Sequence, residues 1–342
     1  MSKVFFQNDY GEGAHPLVMQ RLLETNMEHT CGYGLDEYSL KAAQVILEKV
    51  GNPNAQVHMM TGGTSANAIA LASFLRPFEA VVCAPTGHIN VHETGAVEAT
   101  GHKVLACDSA DGKALPEGVR KVCQLHGDEH MVHPRVLYIS QSTEIGTAYT
   151  LEELKALRAV CDECGLLLYI DGARLGSALA AKDCDVTLKD LGALADAFYI
   201  GGTKNGLLFG EAMVVCNPAL QPHFRYMIKN RGGMMAKGRL CGVMFLAAFE
   251  NGDYFKWAAH ANAMADVIRE AMAKKGLRQY VETTTNQVFP VLTKTQRDVL
   301  AESFAFERWE DLDGENCVIR FVTSWATTLE DVKKLADALE AL

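Results

Sequence analysis

Leu166-Leu-Leu-Tyr-Ile-Asp171-Gly-Ala-Arg174 and, further along, Ala197-Phe-Tyr-Ile-Gly-Gly-Thr203-Lys204-Asn-Gly are two uninterrupted apolar runs, each closed by one ionisable residue. Such runs read as strands of a sheet covered on both faces. Ligands of open α/β sheets bind beyond the carboxyl ends of the strands, so Asp171 and Lys204 are expected to face one crevice. A lysine shielded from water there can lose its proton and attack a carbonyl carbon. An aspartate at the neighbouring strand end can hold a pyridinium nitrogen protonated, which keeps that ring electron-poor. The pair predicts a site for pyridoxal 5'-phosphate (PLP).

Around these strands, helical patterns alternate with short apolar runs from about residue 37 to residue 216, the signature of a mostly parallel sheet. Strands are expected at residues 80–83, 103–107, 135–140, 166–170, 197–200 and 211–216, with helices at residues 38–50, 62–75 and 151–164. A long helical region near residues 242–276 leads into a stretch that mixes short strands (288–292, 317–322) with helices (297–303, 329–342). The predicted organisation is an arm over residues 1–30, a large domain over 31–245 and a smaller C-terminal α+β domain over 246–342. No internal repeat and no low-complexity segment stands out.

The chain has 342 residues and a net charge of −10, which argues against nucleic acid or an anionic membrane as partner. No stretch has the roughly 18 apolar residues of a membrane helix, and the start lacks the pattern of a secretory signal, so a cytoplasmic protein is expected. The ten cysteines follow no repeated spacing. Cys161-Asp-Glu-Cys164 falls on a helical pattern without a second pair, so it reads as packing and no metal site is expected.

Several further residues point toward the same crevice. Thr61-Gly-Gly-Thr-Ser65-Ala-Asn67 opens a helical run, and free N–H groups at such a start suit a phosphate, although alone the pattern is also that of a plain helix cap. His88 follows a strand, where an imidazole can stack on a planar ring or move a proton. Lys229-Asn-Arg231-Gly-Gly-Met-Met-Ala-Lys237-Gly-Arg239 gathers cations suited to a phosphate or carboxylate. Arg320 stands inside the apolar run Val318–Val322, where it needs an anionic partner, and its planar fork suits a substrate carboxylate.

In this order, Tyr33-Gly, Thr61-Gly-Gly-Thr-Ser-Ala-Asn67, Gly87-His-Ile-x-x-x-Glu93-x-Gly95, Asp171-Gly-Ala-Arg174, Thr203-Lys204 and Ile319-Arg320 resemble the L-threonine aldolases. These belong to the aromatic amino acid β-eliminating lyase/threonine aldolase group of fold-type I PLP enzymes, whose fold is aspartate aminotransferase-like, and the resemblance covers nearly the whole chain. It implies Lys204 as the lysine that holds PLP, Asp171 on the pyridinium nitrogen and His88 stacked on the ring. Gly63, Thr64 and Ser65 would bind the phosphate, with Thr203 and Arg174 also at the cofactor. Arg174 and Arg320 would hold the substrate carboxylate, and Tyr33 would reach the site of a neighbouring subunit in a homodimer or homotetramer; Lys229 and Arg231, from the cation-rich stretch, are candidates for a phosphate or for a neighbouring subunit. The activity implied is cleavage of L-threonine or L-allo-threonine to glycine and an aldehyde, with His88 or His133 as base.

Three stretches depart from the family pattern. Asn205-Gly-Leu-Leu-Phe-Gly replaces a common Gly-Leu-Gly, Gln141-Ser-Thr-Glu144 replaces Glu-Asn-Thr-His, and neither His130 nor His133 has the usual spacing of a catalytic histidine. Within PLP chemistry, β-elimination and transamination are the alternatives. A non-catalytic PLP-fold protein fits less well with an intact Lys204 and Asp171, and a nicotinamide enzyme lacks its glycine fingerprint.

Overall fold

A computed structural model describes residues 3–342. Its main sheet has seven strands: β1 (Gln56–Met60), β2 (Glu79–Cys83), β3 (Val104–Ala106), β4 (His133–Ser140), β5 (Leu167–Asp171), β6 (Ala197–Gly201) and β7 (Glu211–Val215). They lie in the order β1-β7-β6-β5-β4-β2-β3. The block from β6 to β3 is parallel, and β7 runs antiparallel to both of its neighbours.

Why the central runs are apolar throughout follows from the pleat. Val82, Ile139, Ile170, Ile200 and Val214 enter the core on one face, while Val81, Tyr138, Tyr169, Tyr199 and Met213 enter the core on the other. With both faces covered, no position is left for alternating polar residues. The Leu151–Cys164 helix between β4 and β5 starts at a reciprocal cap of Thr150 and Glu153 and stops at Gly165, which has a φ of 69°. The long helical region is two helices, Arg239–Phe249 and Asp253–Lys275, separated at Gly252 with a φ of 71°.

A second sheet is built on β11 (Asn316–Val322), which pairs antiparallel with β8 (Gln287–Val288), β9 (Val291–Thr293) and β10 (Glu307–Asp311). Pro290 lies between β8 and β9 and divides the single strand expected there. Phe6, from the start of the chain, is buried in the core beneath this sheet, and Val4–Phe5 pairs with Phe304–Ala305. The first residues are thereby anchored, and the chain that follows carries Asp9 to Arg174 and Tyr10 to a crevice shared with Lys204. No helix among the described residues is long and apolar enough to cross a membrane.

Candidate active site

The carboxyl ends of β4, β5 and β6 share one sequence pattern, Tyr138-Ile-Ser, Tyr169-Ile-Asp and Tyr199-Ile-Gly. Register sets Tyr138 beside Tyr169 and Ser140 beside Asp171. The buried Asp171 carboxyl accepts from Tyr138 Oη at 2.6 Å, Tyr199 Oη at 2.5 Å, Asn67 Nδ2 at 3.0 Å and the Ala173 N–H at 2.9 Å. Burial works to raise its pKa, but His88 and these donors outweigh it and hold the pKa below the ordinary 3.8. Burial first, and then the Asp171 charge, push both tyrosines well above their usual range, so they stay protonated and donate. Gly172 follows Asp171 because a Cβ there would stand 1.8 Å from the Tyr199 carbonyl oxygen.

Lys204, past the end of β6, shares with Asp171 the wall of a cavity of about 370 Å³. Burial and the neighbouring Arg174 charge lower its pKa from 10.5 against the pull of Asp9, Asp171 and Glu211, which favours a neutral, nucleophilic amine. Its Nζ lies 5.8 Å from the centre of the Tyr10 ring. The preceding Thr203 hydroxyl donates to Glu211 Oε1 at 2.8 Å, and the Gly202 N–H donates to Oε2 at 2.7 Å. Glu211, which opens β7, is buried in the same wall, and burial pushes its pKa up to about 7.

Across the cavity the Gly63–Phe74 helix begins at Gly62 with no side-chain cap. The N–H groups of Gly63, Thr64 and Ser65 have no partner among the described residues, and Gly62, Gly63 and Thr64 line the cavity. A Cβ on Gly63 would approach Tyr199 Oη to 3.1 Å. Ser65 contributes backbone only, since its hydroxyl donates to the Gly62 carbonyl at 2.9 Å. Open N–H groups at the positive end of a twelve-residue helix form an anion site.

His88 stands on the same wall, and its Nδ1 is 2.8 Å from Glu93 Oε1. That oxygen also accepts from Asn67 Nδ2 at 2.8 Å, so Asn67 ties the histidine's partner to Asp171. Glu144 accepts from the His88 N–H at 3.0 Å and from the Ser140 hydroxyl at 2.5 Å.

A smaller hollow of about 230 Å³ adjoins the first, sharing Tyr10, His88, Glu144, Arg174 and Lys204 and adding His92, Glu307, Trp309 and Arg320. Both arginines have protein partners here. Arg174 forks onto Asp9 at 2.7 and 3.0 Å. Arg320 sits directly across from Glu307 in the β10–β11 pair and donates to it, and to Gln287 Oε1 at 3.0 Å. Trp309 lies under the Arg320 guanidinium at 5.2 Å, and Arg320 Nε is buried with no acceptor among the described residues.

Lys204, Asp171, His88, Gly63, Thr64, Thr203, Arg174 and Arg320 are thus brought together. His133 is not, which corrects the expectation of a base there. It opens β4 at the edge marked by Glu79, whereas the site lies at the other end beyond Ser140, roughly 23 Å away at about 3.3 Å per residue. Tyr33 lines a different hollow of about 290 Å³ with Arg225 and Met234, and Lys229 Nζ rests 4.5 Å from its ring centre. Lys229 and Arg231 are exposed. Asp9, Tyr138, Tyr199 and Glu211 were not anticipated; the repeated Tyr-Ile at three strand ends was the available signal for the tyrosines, and Asp9 carried none.

The model of the Beta-eliminating lyase family matches residues 13–295. The low specificity L-threonine aldolase of Pseudomonas aeruginosa is 32% identical over 335 residues, 97% of this chain and 95% of that protein. A solved structure of Leishmania major threonine aldolase is 42% identical, covers 98% of both chains and superposes with a TM-score of 0.97. Thermus thermophilus aspartate aminotransferase, at 14% identity, shares the fold with a TM-score of 0.72 over 99% of this chain and 91% of that one.

Proposed function

The chain belongs to the beta-eliminating lyase family, and on that basis we propose that it is a PLP-dependent aldehyde-lyase that splits L-threonine or L-allo-threonine into glycine and an aldehyde. The observation that carries the reading is Lys204 and Asp171 in one cavity, facing the uncapped start of the Gly63–Phe74 helix. The residues fit PLP group by group. An anionic phosphate matches the open N–H groups of Gly63, Thr64 and Ser65, a basic ring nitrogen matches an ionised Asp171, and an aldehyde matches a lysine with lowered pKa.

Bound there, the cofactor serves as an electron sink for the pair released when a bond to Cα breaks. The chain's own groups decide which bond that is. Asp171, kept ionised by its donors, holds the proton on the ring nitrogen. His88, fixed through Glu93, flanks the ring. Arg174 and Arg320, whose charges oppose each other across one hollow, orient the substrate carboxylate so that the Cα–Cβ bond is the one aligned for cleavage.

Incubating the PLP-loaded protein with β-hydroxy amino acids should yield glycine and an aldehyde in equal amounts. A keto acid as product would instead indicate β-elimination or transamination and would refute the aldolase reading.

Arg320→Lys should weaken substrate binding and lower turnover together, because a point charge keeps attraction but loses the fork. A loss of about 1.5–3 kcal/mol, roughly ten- to a hundredfold in kcat/KM, is expected. Glu307 and Gln287 already hold this guanidinium, so thermal stability must be measured alongside. A variant that melts earlier yet keeps wild-type kinetic constants would show that the residue only braces β10 against β11.

Tyr33 and Lys229 meet at a hollow separate from the cavity of Lys204, and we take both, with Arg231, to complete the site of an adjoining subunit in a homodimer or homotetramer. Mixed oligomers of Tyr33→Phe and Lys204→Ala subunits should regain activity, because one of two shared sites would be intact. Hybrids that stay inactive, or a fully active monomer, would refute this. The free cysteines agree with a reducing compartment, which we take to be the cytoplasm.

A further inference from the structure

Glu144 has one oxygen committed and one open. Oε1 accepts from the Ser140 hydroxyl and the His88 N–H, while Oε2 has no donor among the described residues. The side chain is buried, yet it lines both the cavity of Lys204 and Asp171 and the adjoining hollow of Arg174 and Arg320. A substrate with its amine toward Lys204 and its carboxylate toward the arginines passes this carboxyl.

Of the histidines, His133 lies at the wrong end of β4, His88 has its Nδ1 on Glu93 and its ring assigned to the cofactor face, and His92 lines only the outer hollow, whereas Glu144 lines both. Resting on the aldol-cleavage reading above, we propose that Glu144 is the catalytic base that takes the proton of the substrate's β-hydroxyl group. The O–H electron pair becomes the second C–O bond of the departing aldehyde, the Cα–Cβ bond breaks, and its pair stays on Cα. One proton returned to Cα completes glycine, so that substrate equals glycine plus aldehyde with no other reactant. Burial, with the nearby Asp171 charge, raises the Glu144 pKa against the opposing hydrogen bonds from Ser140 and its own backbone N–H and against the His88 charge, which strengthens the ionised carboxylate as a base. The two donors on Oε1 keep the carboxyl from turning away.

Glu144→Gln tests this, because the amide oxygen still accepts from Ser140 and His88 while the basic oxygen is lost. In the PLP-loaded enzyme, kcat on L-threonine should fall by about 10²–10⁴-fold. Glycine has no β-hydroxyl, so its Kd, read from the visible absorbance of the bound cofactor, should stay within about twofold of wild type. Glu144→Asp, which keeps an ionisable group, should recover at least about tenfold of the lost kcat. A Gln variant with kcat near wild type overturns the proposal. So does one that loses glycine binding in parallel with turnover or cannot be purified with PLP, since either marks a packing role. A wild-type enzyme that releases no aldehyde from threonine or allo-threonine overturns the aldolase reading and this proposal with it; an active wild type beside an active Gln variant overturns the proposal alone.

Discussion

Lys204→Ala should remove the covalent hold on the cofactor and lower turnover by at least about a thousandfold, the order expected when a nucleophile is deleted from a site whose parts act as a unit. The expectation rests on the neighbourhood of the amine. Burial and Arg174 disfavour its charge, and the carboxylates around it do not restore the usual pKa. A lowered pKa enlarges the neutral fraction, the form that attacks an aldehyde, whereas an ordinary lysine at neutral pH is almost wholly protonated. Reducing the wild-type protein with borohydride in the presence of PLP should fix one cofactor per chain, and peptide mapping should find it on Lys204. The cofactor-free variant should melt no lower than wild type, because the side chain it loses has a charge the site resists. Label on any other lysine, or more than about one-hundredth of wild-type turnover in the variant, would refute the assignment.

How far this was legible in the chain depends on whether local pattern or tertiary register carries the information. Asp171 and Lys204 are visible because strands buried on both faces are apolar until they end, and the first charged residue marks the end. Strand β1, Gln56-Val-His-Met-Met, was missed because it mixes polar and apolar residues and follows no long run. His133 was misassigned for a different reason. Parallel strands place their functional ends at the carboxyl side, and a residue that opens a strand is carried to the far edge of the sheet. Arg320 was recognised as needing an anion, but Glu307 supplies one only through the antiparallel register of β10 and β11, and the charged run Glu307–Asp311 did not read as a strand. Asp9 reaches Arg174 across 165 positions of sequence, held by the pairing of Val4–Phe5 with Phe304–Ala305, and no periodicity in either segment signals that contact. Family resemblance placed the arginines at the substrate; geometry adds that each also has a protein partner.

Asp171→Asn should cost turnover about a hundred- to several thousandfold while PLP still attaches to Lys204. A carboxylate facing a protonated ring nitrogen inside a protein forms a buried charge pair, and deleting one member of such a pair costs about 3–5 kcal/mol, or roughly two to four decades in rate if the charge is needed only as the bond breaks. Asparagine is the informative replacement because its amide oxygen can still accept from some of Tyr138, Tyr199 and Asn67. Asp171→Ala strands these three donors and the Ala173 N–H, and each unsatisfied buried donor costs about 1–3 kcal/mol, so that variant confounds chemistry with folding. The two effects also separate by pH. Asp171 has a folded pKa below its ordinary 3.8, so its contribution to stability is present above that value and is lost as pH falls through the folded pKa. The difference in melting temperature between wild type and Asp171→Asn should therefore be constant near neutrality and shift only below about pH 3.8, with wild type losing the more. Turnover should be depressed across the whole working range, since the ring nitrogen lacks its partner at every pH. An asparagine variant that retains PLP and turns over within about fivefold of wild type would remove Asp171 from the chemistry and leave it as the acceptor that joins three strand ends.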